Sequence, residues 1–341
     1  MRFHKPDVAL SHKELNDIEG ILKSGWVSSG EYCEKLEHEI RRRTKVKYAI
    51  PCANATNGLI IAMKSAGIKG RRVYVPAFTW PSSVYAIKAS GNEPVYTDID
   101  KDTYLMKSGV SHSVSEAAMP VDVFGNQCDI ENYGYDKVVI DAAHGFDMRE
   151  LGRRGDAEVI SFSHTKIVTG MEGGAILTND DVIATKAREL VRLSARMGEI
   201  NAYIALSSIK KYDKVNKETR QDIIDFYNQH LIWTFKQKYN AGSNPSVYSL
   251  RFSSQSIRDF VARRLDGRGI EYKIYYEPLV NNMEGVNFVY ERILCLPVYP
   301  HLTAQETADI VNVIKNAIAD CKENLDGSGK KHSQYVRDYI E

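Results

Sequence analysis

The sequence predicts an α/β protein with a mostly parallel sheet and a second, smaller domain. Short runs rich in Val, Ile and Tyr alternate with amphipathic stretches through the first 180 residues. This alternation is typical of βαβ units, in which a helix connects each strand to the next parallel one. The chain has 341 residues, which corresponds to roughly two domains at about 150 residues per domain.

The predicted elements of the first domain follow one another closely. Apolar runs of three or four residues indicate buried strands at 73–75, 94–96, 138–140, 159–162 and 175–177. Amphipathic stretches at 59–63 and 83–87 indicate helices between some of these strands. From Asp181 to Lys238 the pattern is long and helical, with apolar positions at Leu190, Leu193, Ile204, Leu206 and Ile209. These elements predict a sheet that is covered by helices.

A cluster of turn-forming residues at 240–245 marks a boundary between two domains. We expect a large domain over residues 1–238, whose N-terminal segment could pack on the other domain, and a small α+β domain over residues 239–325. The small domain is predicted to contain strands at 247–250 and near 272–274, and helices at 257–265 and 304–319. Residues 326–341 are polar and are predicted to form a flexible tail.

Composition and charge argue against several classes of function. Lys and Arg number 45 and Asp and Glu 44, so no field of one sign favours nucleic acid or an anionic membrane. The mean hydropathy of −0.36 and the lack of a long apolar run predict no membrane span. The first residues lack the apolar core of a signal peptide. Five scattered cysteines without CxxC spacing favour a reducing cytoplasm over disulfides: Cys33, Cys52, Cys128, Cys295 and Cys321.

Common cofactor motifs are absent from the sequence. No GxGxxG follows any predicted strand, and the segment at 327–330 lacks the leading glycine and the Ser or Thr of a phosphate-binding P-loop. No GxSxG or HExxH occurs, and the nine histidines are dispersed without ligand spacing. NAD, ATP and a bound metal are therefore poor candidates.

The most informative pattern is an aspartate and a lysine that follow two predicted strands. Asp141 comes directly after the run at 138–140, and Lys166 lies 25 residues later, after the run at 159–162. Open α/β sheets place ligands beyond the carboxyl ends of their strands. A lysine amine can form a Schiff base with the aldehyde of pyridoxal phosphate, and a carboxylate can pair with its protonated ring nitrogen. A structural ion pair between Asp141 and Lys166 is the alternative, and spacing alone leaves it open.

Two further segments fit the same cofactor, although each has an ordinary alternative. The polar turn at 52–58 leads into an apolar helix. Its backbone N–H groups and the Thr56 hydroxyl could hold a phosphate, or the turn could be a simple helix cap. Trp80 or Phe78, just after the strand at 73–75, could stack on a flat ring or belong to the core.

In their order and spacing, these segments resemble the DegT/StrS sugar aminotransferases, a family of pyridoxal-phosphate enzymes. The resemblance runs over nearly the whole chain, and each of its motifs is weak by itself. It is carried by SGWVSSG at 24–30, TDID at 97–100, the Asp141 and Lys166 segments, EGG at 172–174 and LCLPVYP at 294–300. It implies the aspartate aminotransferase fold (fold type I), with a mainly parallel seven-stranded sheet and the cofactor between the two domains.

The resemblance also implies a role for individual residues. Lys166 matches the Schiff-base lysine and Asp141 the partner of the ring nitrogen, and we expect both to be catalytic. The other cofactor-binding positions are Trp80 on the ring, His144 beside the ring hydroxyl where glutamine is commonest, and Ala55, Thr56 and Ser161 on the phosphate. Ser28 and Ser29 match substrate contacts, or are simply a helix cap and turn. Relatives that dehydrate sugars carry histidine at the position of Lys166, so the lysine argues against that chemistry.

One departure from the family pattern lies before residue 200. The family usually has a loop with an asparagine shortly before a Lys-Met-Ser-Glu segment, and that asparagine helps to bind the cofactor phosphate across the dimer. In this sequence the loop is shortened, and Ser194 stands where asparagine is expected. Ser194 could still donate one hydrogen bond. Arg196, two residues later, is either a compensating phosphate contact or a solvated charge on a helix.

The activity implied by the resemblance is ping-pong transamination in a homodimer. The expected amino donor is L-glutamate, and the expected acceptor is a nucleotide-linked 3-keto or 4-keto 6-deoxyhexose. Such sugars are used in lipopolysaccharide, in other surface polysaccharides and in natural products. Two alternatives stay open: an aminotransferase for a smaller keto compound, which the short loop would suit, and a non-catalytic regulatory protein that binds the cofactor. Neither nucleic acid nor a membrane is expected as a partner.

Overall fold

The computed structural model describes residues 1–107, 116–131 and 133–326. Its helices are α1 His12–Ser24, α2 Glu31–Thr44, α3 Ala55–Ser65, α4 Pro81–Ala89, α5 Asp181–Ser194, α6 Glu199–Lys211, α7 Lys217–His230, α8 Gln255–Asp266, α9 Glu284–Arg292 and α10 Ala304–Asp326. Its strands are β1 Tyr48–Cys52, β2 Arg72–Pro76, β3 Glu93–Thr97, β4 Ala117–Ala118, β5 Lys137–Asp141, β6 Ala157–Ser161, β7 Gly174–Thr178, β8 Phe235–Lys236, β9 Tyr248–Arg251 and β10 Ile293–Leu296. The flexible tail predicted for 326–341 lies outside the described residues, apart from Asp326 at the end of α10.

The central element is a seven-stranded sheet in the order β1-β7-β6-β5-β4-β2-β3. Only β7 runs antiparallel to its neighbours β1 and β6, and the remaining neighbours pair in parallel. The predicted fold class and the mainly parallel seven-stranded sheet are confirmed. Two strands of this sheet were missing from the sequence prediction: β1, which a proline interrupts, and β4, which has only two residues.

Helices cover both faces of this sheet because its strands are apolar on both sides. Successive side chains in a strand point to opposite faces, and three central strands each give one buried residue to each face. These pairs are Val139 and Ile140, Val159 and Ile160, and Ile176 and Leu177. One face packs against α3, α4 and α5, and the other packs against α2 and α6. Strands buried on both faces form the continuous apolar runs that the sequence shows.

The predicted helical stretch from Asp181 to Lys238 is several elements. It is interrupted at 195–198, continues through α6, a π-helical turn Tyr212–Asn216 and α7, and ends at His230. Phe235–Lys236 is a strand. Leu193, which the pattern assigned as an apolar helix position, is 70% exposed. Among the residues that the structure describes, no helix is both long enough and apolar enough to span a bilayer.

A second core lies around the three-stranded sheet β10-β9-β8. Side chains of α7, α8 and α10 pack together with β9 and β10 in one buried cluster. The strand predicted near 272–274 is wrong: Lys273 makes a single bridge to Cys295. Because α7 packs in this second cluster, part of the chain before residue 239 contacts the small sheet, and the predicted boundary at 238 stays a prediction.

The N-terminal segment packs against the region after α8. The Met1 ammonium donates a hydrogen bond to the Gly269 carbonyl, and the Glu271 N–H donates to the Met1 carbonyl at 2.9 Å. The Phe3 N–H donates to the Glu271 carboxylate at 2.9 Å. The Phe3 side chain is buried. Hydrogen bonds at Met1 and Phe3 therefore fix the backbone of this short segment, and with it the position of His4.

Candidate active site

The main cavity near the carboxyl edge of the large sheet has a volume of about 370 Å³. Its walls come from the loops that follow β1, β2, β5 and β6, together with the segment around Tyr275 and Tyr276. Seven of the residues predicted as cofactor or catalytic residues line it: Ala55, Thr56, Trp80, Asp141, His144, Ser161 and Lys166. Residues far apart in the sequence meet here because parallel strands end at the same edge of a sheet.

Asp141 is the last residue of β5 and is 4% exposed. One carboxylate oxygen accepts a hydrogen bond from the Ser83 hydroxyl at 2.7 Å, and the other accepts one from the Ala143 N–H at 3.1 Å. Burial raises the pKa of Asp141, and the hydrogen bonds from Ser83 and Ala143 partly oppose that rise. The carboxylate is therefore fixed in position, and a nearby cation would stabilise its charged form.

Lys166 lies in the loop after β6, and the backbone of this loop fixes its position. The Lys166 N–H donates to the Ser163 carbonyl at 3.0 Å, and the Gly170 N–H donates to the Phe162 carbonyl at 2.8 Å. Burial lowers the pKa of the Lys166 amine to about 8, and the charge of Asp141 acts in the opposite direction. Since an ordinary lysine has a pKa of about 10.4, this amine reaches its neutral form much nearer to physiological pH.

His144 connects Lys166 to a residue from the second half of the chain. Its Nε2 lies 2.9 Å from the Lys166 Nζ, and its Nδ1 lies 2.6 Å from the Ser246 Oγ. Burial and then the positive charge of Lys166 lower the pKa of His144 well below its usual value, so the ring is neutral. When Lys166 is an ammonium it donates to Nε2, and the single ring proton then lies on Nδ1 and is donated to Ser246.

Replacing Ser246 with alanine should disturb this proton arrangement without removing any group that faces the cavity centre. Without the hydroxyl, the proton on Nδ1 has no acceptor, so the orientation and tautomer of His144 are no longer fixed. We expect turnover to fall about tenfold and the pH at which turnover is half-maximal to shift. The Ser246→Thr variant keeps the hydroxyl and should keep the parent pH profile. An unchanged pH profile in Ser246→Ala would contradict this role.

The turn before α3 offers free N–H donors to the cavity. Asn54 caps the helix, since its side-chain oxygen accepts from the Asn57 N–H at 2.8 Å. Within the described part of the chain, the N–H groups of Ala55 and Thr56 have no acceptor. A Cβ on Gly174 would lie 2.9 Å from the Ala55 nitrogen, so glycine is required for β7 to pass this turn. Donors at a helix N-terminus are suited to binding a phosphate.

The aromatic residues near the cavity divide into wall and core. Trp80 is 59% exposed, lines the cavity and contacts Tyr276 edge-on, with 6.4 Å between the ring centroids. Phe78 is fully buried among Tyr104, Phe124 and other aromatic rings, so it belongs to the core. Of the two aromatic residues that the sequence left open, Trp80 alone is placed to meet a ligand ring.

Three predicted site residues lie outside this cavity. Ser28 bridges to Gly198, and the Ser29 N–H donates to the Met197 carbonyl at 3.1 Å. Ser194 is exposed at the end of α5, and its hydroxyl donates to the Leu190 carbonyl at 2.9 Å. Arg196 is also exposed but lies between α5 and α6, so it is not a helix charge. The predicted substrate and phosphate contacts of these residues stay predictions.

Glu199 holds the turn that carries Ser28 and Ser29. Its buried carboxylate accepts hydrogen bonds from the N–H groups of Gly30 at 2.8 Å, Tyr32 at 2.8 Å and Cys33 at 3.0 Å. Burial raises the pKa of Glu199, but these hydrogen bonds outweigh that effect and leave it below its usual value. The first turn of α2 is thus capped by a side chain from α6.

Replacing Glu199 with glutamine should destabilise the fold. The glutamine NH₂ would face a backbone N–H donor, which would leave a buried donor without an acceptor. The free energy of unfolding should fall by about 2 kcal/mol, as measured by urea denaturation. Glu34→Gln, an exposed position on the same helix α2, should stay within about 0.5 kcal/mol of the parent. Equal stability of the two variants would refute the capping role.

Several residues of the site were missed from the sequence. Ser83 holds Asp141, Ser246 holds His144, and His4, Tyr275 and Tyr276 line the cavity. Serines, tyrosines and a histidine without motif spacing give no local signal. The one sequence signal for any of these residues was the apolar pattern of α4, which predicts that Ser83 faces the sheet rather than solvent.

Comparison with known proteins places this geometry in a family. The sequence model of the DegT/DnrJ/EryC1/StrS aminotransferase family matches residues 8–315. GDP-perosamine synthase of Vibrio cholerae is 28% identical over 354 residues, which cover 89% of this chain and 95% of that protein.

Two solved structures are also similar. A DegT DnrJ EryC1 StrS aminotransferase from Brucella abortus has a TM-score of 0.79 at 25% identity, covering 89% of this chain and 95% of that one. The Bacillus subtilis protein NtdA, with bound cofactor PMP, has a TM-score of 0.83 at 21% identity, covering 94% of this chain and 85% of that one. Since the family match extends over nearly the whole chain, this protein belongs to the DegT/DnrJ/EryC1/StrS aminotransferase family.

Proposed function

We propose that this protein is a pyridoxal-phosphate-dependent aminotransferase that moves an amino group from L-glutamate to a nucleotide-linked keto-6-deoxyhexose. The observation that carries the proposal is the placing of Lys166 and Asp141 in one cavity, where the lysine pKa falls to about 8. A lysine whose pKa lies near working pH can accept and return a proton. Among the described residues the Lys166 amine contacts the His144 ring at 2.9 Å and forms no ion pair with Asp141, so the alternative of a structural ion pair loses support.

The residues of the cavity fit the cofactor at each of its ends. Ala55, Thr56 and Ser161 would hold the phosphate, because two unpaired N–H groups at a helix start and two hydroxyls face that side. Asp141 would hold the ring nitrogen, and Trp80 would pack on the ring face. Bound pyridoxal phosphate supplies an aldehyde that carries the amino group and a protonated ring that withdraws electron density.

The amine of Lys166 is the group of this chain that moves a proton. In its neutral form it accepts a proton from the α-carbon of the amino donor, and it can return that proton at the end of the transfer. His144 holds the amine at 2.9 Å and, since its own pKa is low, does not compete for the proton at neutral pH. Because the pKa of Lys166 is about 8, turnover should rise with pH up to about that value.

The keto-sugar acceptor is supported by the relatives rather than by the cavity alone. GDP-perosamine synthase is 28% identical over nearly its full length, and its name refers to a nucleotide-linked amino sugar. A cavity of about 370 Å³ with a partly exposed tryptophan at its edge has room for a sugar ring beside the cofactor. The product would then be an amino sugar for lipopolysaccharide or another surface polysaccharide.

A homodimer is the proposed working form. Trp26 is 67% exposed, Val27 47% and Leu193 70%. The bridge between Ser28 and Gly198 brings the turn that carries Trp26 and Val27 beside the segment that follows Leu193. Large exposed apolar side chains are typical of interaction surfaces, and a second copy of the chain would cover them. Light scattering should give a mass of about twice 38.5 kDa.

Spectroscopy of the half-reaction tests the proposed function. The protein loaded with pyridoxal phosphate should lose the visible absorbance of the cofactor when L-glutamate is added, because the amino group of glutamate is transferred to the cofactor. Absorbance that persists would favour the non-catalytic regulatory protein.

The aminated form should then be offered a panel of nucleotide-linked keto-sugars and small ketones. Reaction with the small ketones alone would favour the smaller acceptor.

A further inference from the structure

The N-terminal segment brings a histidine to the same cavity as Lys166. Residues 1–3 are tied to Gly269 and Glu271 by three hydrogen bonds, and the next residue, His4, lines the cavity. The Phe3 ring is buried and contacts the His4 ring edge-on at a centroid distance of 4.4 Å. The backbone and the neighbouring ring thus fix the position of a side chain that no motif of the sequence had indicated.

The imidazole of His4 is without a hydrogen-bond partner in the part of the chain that the structure describes. Its surroundings are basic, since Lys166 and His164 line both cavities that it borders. Burial and then the charges of Lys166, His164, Lys273 and Arg220 lower the pKa of His4 to about 4. At neutral pH the ring is therefore neutral and keeps one N–H donor.

Acidic residues also line the two cavities that His4 borders. Asp7 lines the smaller cavity beside His4, but its carboxylate accepts a hydrogen bond from the Asn216 amide at 3.1 Å and pairs with Lys211 at 3.5 Å. In the main cavity Asp141 accepts hydrogen bonds from Ser83 and Ala143, and Glu172 is an exposed residue of the wall. None of these carboxylates accepts a hydrogen bond from His4 among the described residues, so the ring keeps an N–H donor for a ligand.

The size of the space limits which anion fits. The smaller cavity, lined by His4, His164 and Lys166, has a volume of about 30 Å³. One water needs about 10–15 Å³ by this measure, so the smaller cavity has room for a carboxylate, and it shares His4, His164 and Lys166 with the main cavity of about 370 Å³. It also lies beside the amine of Lys166, where the reacting carbon of an amino acid must be.

We infer that the His4 N–H donates a hydrogen bond to a carboxylate of the amino donor and so helps to bind that substrate beside Lys166. The inference rests on the proposed aminotransferase function and extends it to the recognition of the donor. Neutral imidazole suits this task, because it binds a carboxylate by hydrogen bonding without adding a further charge beside the lysine. His4 would then act in the first half of the cycle and leave binding of the nucleotide unchanged.

The test measures binding to the cofactor-loaded protein by calorimetry. The probe is glutarate, a five-carbon dicarboxylate without the amino group, and the variants are His4→Ala and His4→Gln. Loss of one hydrogen bond to a charged group should weaken glutarate binding about tenfold in His4→Ala. His4→Gln keeps an N–H donor and should stay within about threefold of the parent. Binding of guanosine diphosphate, the nucleotide in the name of the 28% identical relative, should be measurable in the parent and unchanged in both variants.

His12→Ala is the matched control, because His12 is an exposed histidine eight positions along the chain at the start of α1. It should bind glutarate like the parent. The inference is overturned if the parent fails to bind glutarate, if His4→Ala binds it equally well, or if His4→Ala loses guanosine diphosphate instead. Failure of the proposed function would look different, since the visible absorbance of the cofactor in the parent would then be absent or would persist after L-glutamate is added.

Discussion

The Lys166→Ala variant should lose all measurable amino transfer and the visible absorbance that pyridoxal phosphate gains on the protein. Lys166 has the only side-chain amine among the described residues that line the main cavity, and no second group there can replace it as both covalent anchor and base. Removing such a group costs the whole of covalent and proton-transfer catalysis rather than a fraction of it. Absorbance between 300 and 500 nm (roughly the range of this cofactor) and turnover with glutamate are the two measurements.

Lys64→Ala serves as a control for the loss of a lysine elsewhere. Lys64 is exposed on α3, the helix whose start faces the cavity, so this variant should keep both absorbance and turnover. Cofactor absorbance that survives in Lys166→Ala, together with turnover, would remove the lysine from its proposed role. Thermal unfolding should be measured in parallel to show that both variants are folded.

The Asp141→Asn variant should keep much of its cofactor binding but lose turnover by at least about a hundredfold. Asparagine has nearly the same shape as aspartate. In the parent the Ser83 hydroxyl donates to the Asp141 carboxylate at 2.7 Å, and the asparagine oxygen can still accept that hydrogen bond. It lacks the negative charge that keeps a ring nitrogen protonated, so the ring withdraws electrons less well. The dissociation constant of the cofactor and the single-turnover rate with glutamate separate the two effects.

Asp181→Asn provides the comparison for Asp141→Asn. Asp181 is an exposed carboxylate at the start of α5, and its loss should leave the single-turnover rate within about twofold. A parent-like rate in Asp141→Asn would show that the ring nitrogen is not held by this carboxylate. Equal loss of cofactor binding and rate would instead indicate a purely structural role.

Several features of the fold could be predicted because they depend on neighbouring residues. Val138, Val139 and Ile140 form a continuous apolar run, and such a run is expected only where helices cover both faces of a sheet. Strand β4 gave no signal because two alanines are too short for any periodic pattern. The strand expected near 272–274 failed for the opposite reason: its residues are suited to a strand, but only Lys273 finds a partner.

The residues of the candidate site also divide into those that the sequence predicts and those that only the folded structure reveals. Asp141 and Lys166 stand directly after predictable strands, so the sequence by itself determined that they would meet at one edge of the sheet. It could not determine which side chains would hold them, because Ser83 and Ser246 come from other elements and approach only in the folded chain.

The sequence by itself thus determined the fold class, the family and the lysine–aspartate pair, since these depend on local patterning and on motif order. Only the tertiary structure decided that Trp80 rather than Phe78 faces the cavity, that Glu199 caps α2, and that His4 lies beside Lys166. Exposure, capping from a distant helix and the environment of a titratable group all depend on contacts between residues far apart in the chain. Such contacts form only when the entropy lost on folding has been offset by packing.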